Sequence, residues 1–212
     1  MKEHTKAVLE ACTGQMVALG MSRLRRNLAV WRMNEDMLGG VGLQIQLRAN
    51  RVRVVPIAHV VWEPVERLVA LGQGRDYRPW QTHGVTRSSA VSPGRRIGSL
   101  DFKEPEIDGM MLERFSRHAQ QSVVPQVLEL ADERALLSFV RSGSVRTPRK
   151  AEYVLAIRAM QERSFDLGGD LGRLLTATGS DQSKRRIVDF HSVLSQSQDA
   201  RAILGLGQGA RA

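Results

Sequence analysis

The chain has 212 residues, of which 42% are hydrophobic and 25% charged, with 31 Lys and Arg against 22 Asp and Glu for a net charge of +9. That composition excludes a disordered chain and is long enough to bury a core, and no run of about 18 apolar residues is present to form a transmembrane helix. The single cysteine, Cys12, excludes an intrachain disulfide and a multi-cysteine zinc site. Lys6 and Glu10 interrupt the first segment, so no secretory leader is expected and a cytoplasmic protein is the default.

The charge is unevenly placed. Residues 1–100 hold 15 basic and 7 acidic side chains, whereas residues 101–212 hold 16 and 15. An excess confined to the N-terminal half suggests an anionic partner for one face. Arginine far outnumbers lysine, which suits phosphate and carboxylate recognition, although an arginine-rich composition can also arise with no partner at all.

Taken in order, Val8, Cys12, Met16 and Leu19 recur at helical spacing behind Thr5, predicting a helix over 5–19 that Gly20 stops. Leu28 to Trp31 forms a short strand, and Asn34-Glu35-Asp36 a turn. Val41, Leu43, Ile45 and Leu47 alternate with Gly42, Gln44, Gln46 and Arg48, the pattern of a half-buried strand. Asn50 makes a turn, and Val52 and Val54 alternate with Arg51 and Arg53. Pro56 belongs at a bulge or an edge, and Ile57 to Trp62 continues the strand. Pro64 to Leu71 is a short helix closed by Gly72. Residues 80–91 hold one further strand, and 92–105 are a connector. From 106 the pattern is helical, through Ile107, Met110, Met111, Phe115 and His118. A helix opened by Pro125 follows, reaching Val140, then one from Pro148 to a break at Gly168-Gly169. A short helix follows to Gly179, and a last one is capped by Ser180.

The fold class expected is therefore α+β: an N-terminal helix, an antiparallel sheet of about four strands, a short helix and a helical C-terminal part. Residues 1–105 form the helix-plus-sheet region, 106–198 a helical region packed on it, and 199–212 a frayed tail. This order resembles a group of bacterial α+β domains of unknown function built from a helix, an antiparallel meander and a helical tail. The resemblance rests on Gly20-Met21-Ser22-Arg23-Leu24-Arg25-Arg26, on Trp31 and on the strand Ile57 to Trp62 running into Glu63-Pro64-Val65-Glu66-Arg67-Leu68. The proline break Val123-Val124-Pro125 completes it. It covers roughly residues 5–140 and implies an α+β fold and, by association, a binding role.

The chemistry-bearing residues are sparse. His59 and Glu63 are four apart but span a strand-to-helix change, and His4, His83, His118 and His191 are isolated, so no metal set forms. There is no Gly-x-Ser-x-Gly elbow, and Cys12 lies on a core face. Glu104, Glu106 and Asp108 precede a helix, where carboxylates favour the N-terminus without any catalytic role. Gly39-Gly40-Val41-Gly42 precedes a strand rather than linking strand to helix, so it does not match a phosphate loop; a hairpin turn needing positive φ explains it. No cofactor is expected, and the chain is read as a non-enzyme.

What remains is an arginine set. Arg48, Arg51 and Arg53 lie about one turn, with Arg51 and Arg53 on one face; Arg25 could join them, and Trp31 and Trp62 could stack on a base or grip a partner. The competing reading is a solvated outer face that blunts edge pairing. Lys184-Arg185-Arg186 is read as a solvated helix face. The expected function is a non-enzymatic binding protein engaging a macromolecular partner, in the manner of an immunity or antitoxin protein or a defence-complex subunit. The expected partner is an acidic protein surface, and the alternative is a nucleic-acid-binding accessory protein; a membrane is not expected.

Overall fold

The structure is a computed structural model that describes residues 2–78, 85–88, 100–142 and 149–206. The chain is of the α+β class, with an opening helix, an antiparallel sheet and then mostly helices. It divides into two compact units, Met1–Val60 with Val85–Asp132, and Val61–Gly84 with Glu133–Ala212. The division falls inside a strand and again at 132/133.

In the first unit, α1 (Lys2–Ala18) presents Val8, Cys12 and Met16, all fully buried. Leu19 lies beyond its end, and Gly20 leaves the helix at a φ of 89°, a conformation that costs glycine little. The strands are β1 (Ser22–Arg25), β2 (Leu28–Arg32), β3 (Met37–Arg48), β4 (Arg51–Trp62), β5 (Val85–Ser88) and β6 (Leu100–Lys103). They form one sheet in the order β1-β2-β3-β4, with the far edge of β4 shared between β6 and β5. The sheet thus has six strands among the described residues rather than about four. Asn34 builds the β2–β3 turn, its Oδ1 accepting from the backbone N–H of Asp36 at 2.9 Å and of Met37 at 2.8 Å. Thr13 Oγ1 donates to Arg26 O at 2.7 Å and ties the β1–β2 turn to α1.

Pro56 sits inside β4, yet its placement follows the expected logic. Residues 51–54 pair with β6 and 57–60 with β5, so Pro56 lies in the gap between the two pairings. A residue without an N–H belongs at such an irregularity rather than in the middle of a continuous ladder.

The glycine run Gly39-Gly40-Val41-Gly42 is not a turn. It lies within β3, and none of its glycines has positive φ. Its reason is close approach. A Cβ on Gly39 would meet Met33 Sδ and Val127 Cγ1 at 2.6 Å, and one on Gly40 would meet Ala29 O at 2.7 Å. Gly40→Ala should therefore push β2 and β3 apart, costing about 1–3 kcal/mol as overpacking does; a chemical-denaturation midpoint unchanged from the parent would contradict this.

Helix α3 (Gly109–His118) is capped by Asp108, whose Oδ1 accepts from Met110 N at 2.8 Å. It runs through a π-helical stretch, Ala119–Val123, into α4 (Val124–Leu130). As its position suggests, Pro125 stands in the first turn of α4, and the widened turn ahead of it carries the chain past a residue that cannot donate. The helix expected to run on to Val140 breaks at Ala131-Asp132.

In the second unit, α2 (Glu63–Gly72) has Pro64 in its first turn, and the left-handed residue after it is Gly74, at φ 64°, rather than Gly72. The other helices are α5 (Glu133–Arg141), α6 (Lys150–Glu162), α7 (Gly168–Ala177), α8 (Asp181–Gln196) and α9 (Gln198–Ile203). Gly168 and Gly169 begin α7; the preceding helix ends at Arg163, whose φ is 49°. Ser180 caps α8 as expected, accepting from Ser183 N at 3.3 Å. The segment expected to fray begins with α9, which buries Ala200, and with Leu204, also buried; residues 207–212, like Pro148 and residues 89–99, lie outside the described residues.

Buried carboxylates knit these helices. Asp170, only 6% exposed, accepts from Arg141 Nη2 at 2.7 Å, Arg158 Nε at 2.9 Å and Arg173 Nη2 at 2.9 Å. Burial opposes its charge, but the hydrogen bonds from Arg173 and Arg158 and the nearby charges of Arg158 and Arg141 outweigh that and hold its pKa below the ordinary carboxylate value. Tyr153 Oη donates to buried Glu66 at 2.6 Å. Arg186 Nε lies 3.0 Å from the buried Glu152 carboxylate, so the segment Lys184-Arg185-Arg186 is not merely a solvated face.

Candidate partner-binding end of the sheet

The two-residue turn Ala49-Asn50 sets Arg48 opposite Arg51. The same register places Gly42 opposite Ile57, and a Cβ on Gly42 would indeed lie 3.0 Å from Ile57 Cγ1. On β4, Val52, Val54, Pro56 and Ala58 are buried while Arg51, Arg53, Val55 and Ile57 are wetter. Across the next strand gap, Arg51 pairs with Lys103 and Arg53 with Asp101. The outer face at this end therefore carries a row of three exposed cations on adjacent strands, Arg48, Arg51 and Lys103. Neighbouring strands are about 4.8 Å apart, so the row is about 10 Å long. Among the described residues no carboxylate pairs with any of the three.

One step inward the charge is spent. Arg53 donates to Asp101 through both Nε, at 2.8 Å, and Nη2, at 3.0 Å. That hydrogen bonding, countered only in part by desolvation, strengthens its hold on its proton. Arg53 is thus a fork-and-carboxylate cross-strand pair, and its grip is turned to the sheet rather than to a partner.

The other residues singled out in the sequence do not join the row. Arg25 is half-buried on β1. Arg23 stands 3.9 Å from Glu10 on α1, and Arg32 Nη1 folds back to donate to Glu35 O at 2.7 Å. Trp31 is half-buried with Cζ2 3.0 Å from the space a Cβ on Gly39 would take, so its ring packs on the glycine. Trp62 is 5% exposed and offers no open ring face. Lys103 is missed by sequence reasoning because 92–105 reads as a connector; the alternation Leu100-Asp101-Phe102-Lys103, with Leu100 and Phe102 buried, is the signal that marks it.

The inner face also departs from its expected pattern. Leu43 is buried, Ile45 is half-buried and Leu47 is 61% exposed. The β2 pairing of β3 ends at Gly42, so the hairpin tip overhangs the part of the sheet that β2 covers.

The remaining chemistry is quiet. Burial pushes the Cys12 thiol up to about 12, which leaves no thiolate at neutral pH. Burial lowers the pKa of His118, and His59 is buried in β4. No group of three or more His, Cys, Asp or Glu among the described residues is placed to hold a metal. No helix among them is long and apolar enough to cross a membrane. Comparison with protein-family models, curated proteins and solved structures finds no match to this chain.

Proposed function

We propose that the chain is a non-enzymatic binding protein that docks an acidic protein surface on Arg48, Arg51 and Lys103. The observation that carries this reading is the row itself. Like charges directly opposite one another on a sheet cost stability. Three such cations in a line, while Arg53 beside them is neutralised by Asp101, are relieved by an anionic partner. The row is also exposed, as suits a macromolecule. An inhibitor with an acidic target, or a subunit of a defence complex, fits this surface chemistry.

Nucleic acid is the competing occupant. Single-stranded recognition combines cations with aromatic stacking platforms, and of the two tryptophans considered for that purpose Trp62 is buried and Trp31 is half-buried against Gly39. That favours the acidic protein.

The test combines two measurements on the full chain. Mixed DNA and RNA oligonucleotides should show no anisotropy change up to tens of micromolar protein at near-physiological salt, where non-specific basic binders have affinities of about 10⁻⁴–10⁻⁶ M. Amine-reactive cross-linking in extract should join Lys103 to an acidic protein, and the adduct should disappear in an R48E/R51E variant and at high salt. Micromolar oligonucleotide binding that the same variant weakens, with a salt slope shallower by about one for each phosphate no longer gripped, would move the reading to nucleic acid.

A further inference from the structure

A second cationic site, independent of the sheet, lies in the helical unit. An open cleft of about 540 Å³ is lined by Glu133, Arg134, Ser138 and Arg141 of α5 and by Arg158 and Gln161 of α6, among others. Arg134, Ser138 and Arg141 stand at i, i+4 and i+7, one face of the helix. The cleft residues named carry three guanidinium groups against one carboxylate.

Behind this wall stands Asp170, and it anchors two of those three arginines. All three nitrogens of Arg158 are engaged: Nε binds Asp170, Nη1 faces Gln161 Oε1 at 3.4 Å and the remaining nitrogen pairs with Glu162. Arg141 gives Asp170 a single nitrogen, Nη2, and remains half exposed, with donors left over in its fork. Arg134 is exposed and has no ion-pair partner among the described residues. Asp170 and Glu162 together set two negative charges against Arg141, Arg158 and Arg173, which leaves one cation in excess. Arg141 is held by its bond to the buried Asp170, so that part of the site is ordered before a ligand arrives.

We propose that this cleft binds a small molecule carrying an oligophosphate group. Arginine forks match phosphate oxygens bidentately. Arg134 and Arg141 leave α5 about 10 Å apart along its axis, so each fork can take a different phosphoryl group of a chain, which gives an oligophosphate more contacts than a single phosphate makes. The Ser138 hydroxyl lies between them as a further donor. The volume falls within the range of about 300–1,000 Å³ typical of small-molecule sites.

Inorganic triphosphate and inorganic phosphate are the probes, titrated into the full chain at matched ionic strength by calorimetry. Triphosphate should bind at least tenfold more tightly than phosphate. R134Q/R141Q should weaken triphosphate by tenfold or more, whereas R48Q/R51Q should leave it unchanged. Both altered positions are solvent-exposed, and a thermal melt confirms that each variant is folded. If the double glutamine variant melts early, S138E, which places a carboxylate in the cleft at an exposed position, supplies the same loss. Equal affinity for the two probes, no binding at millimolar triphosphate, or undiminished binding in both cleft variants would overturn the proposal. Loss of binding in R48Q/R51Q would assign the anion to the sheet and overturn it as well.

Discussion

Asp170→Ala should be the most damaging single change in the helical unit. It leaves Arg141, Arg158 and Arg173 facing one another around the site of their lost counter-ion. Removing one partner from a buried ion pair costs about 3–5 kcal/mol. Arg173 is 73% exposed and Arg141 nearly half, so water screens part of the repulsion, and about 2–3 kcal/mol is the expected loss. In a chain of this size that lowers Tm by about 5–10 °C, measurable by calorimetry. A melt within about 1 °C of the parent would show that the cluster is held open by solvent rather than by the carboxylate.

The same residue sets a pH dependence. Its folded pKa is depressed, so its contribution is fully present above the unfolded carboxylate value of about 3.9 and is lost as pH falls through the lower folded value. Asp170→Asn removes the titration while keeping the shape. The stability gap between parent and Asp170→Asn should therefore be constant from neutral pH down to about 5, and narrow below about 4. A gap that widens on acidification would contradict the assigned direction.

Gly72→Ala should destabilise, against the usual helical trend. At an unconstrained position within a helix, alanine in place of glycine gains about 1 kcal/mol. Here the new Cβ would stand 2.3 Å from Phe190 Cε2 and 2.4 Å from Cδ2. Phe190 is itself buried on α8, so its ring has little room to swing away. Overpacking of this kind costs about 1–3 kcal/mol, enough to outweigh the propensity gain. The combination Gly72→Ala with Phe190→Leu should recover part of the loss, because it trims the atoms that collide. A stabilised Gly72→Ala protein in denaturant titration would show that the α2–α8 approach is looser than this.

The alternating strands and the amphipathic helices are legible along the chain, because both are periodic properties of neighbouring residues. Val52 and Val54 inward with Arg51 and Arg53 outward, Val8, Cys12 and Met16 along one helix stripe, and Ser180 as a cap are all local statements that the fold keeps. The α+β class follows from their order. Tertiary structure decided the rest. Gly39, Gly40 and Gly72 read as turn or stop glycines, since periodicity cannot distinguish a residue that needs an unusual φ from one that needs an empty Cβ position. Ile45 and Leu47 continue the buried alternation on paper, but burial of a sheet face requires another layer packed on it, which periodicity along one strand does not encode. The candidate site shows the same division. Arg48 and Arg51 are legible because they flank one turn. Lys103 joins them, and Asp101 removes Arg53 from the grip, only because a strand some 50 residues away pairs with β4. Charge patterns along a chain say which residues are available to a partner; cross-strand pairing determines which of them are still free to meet it.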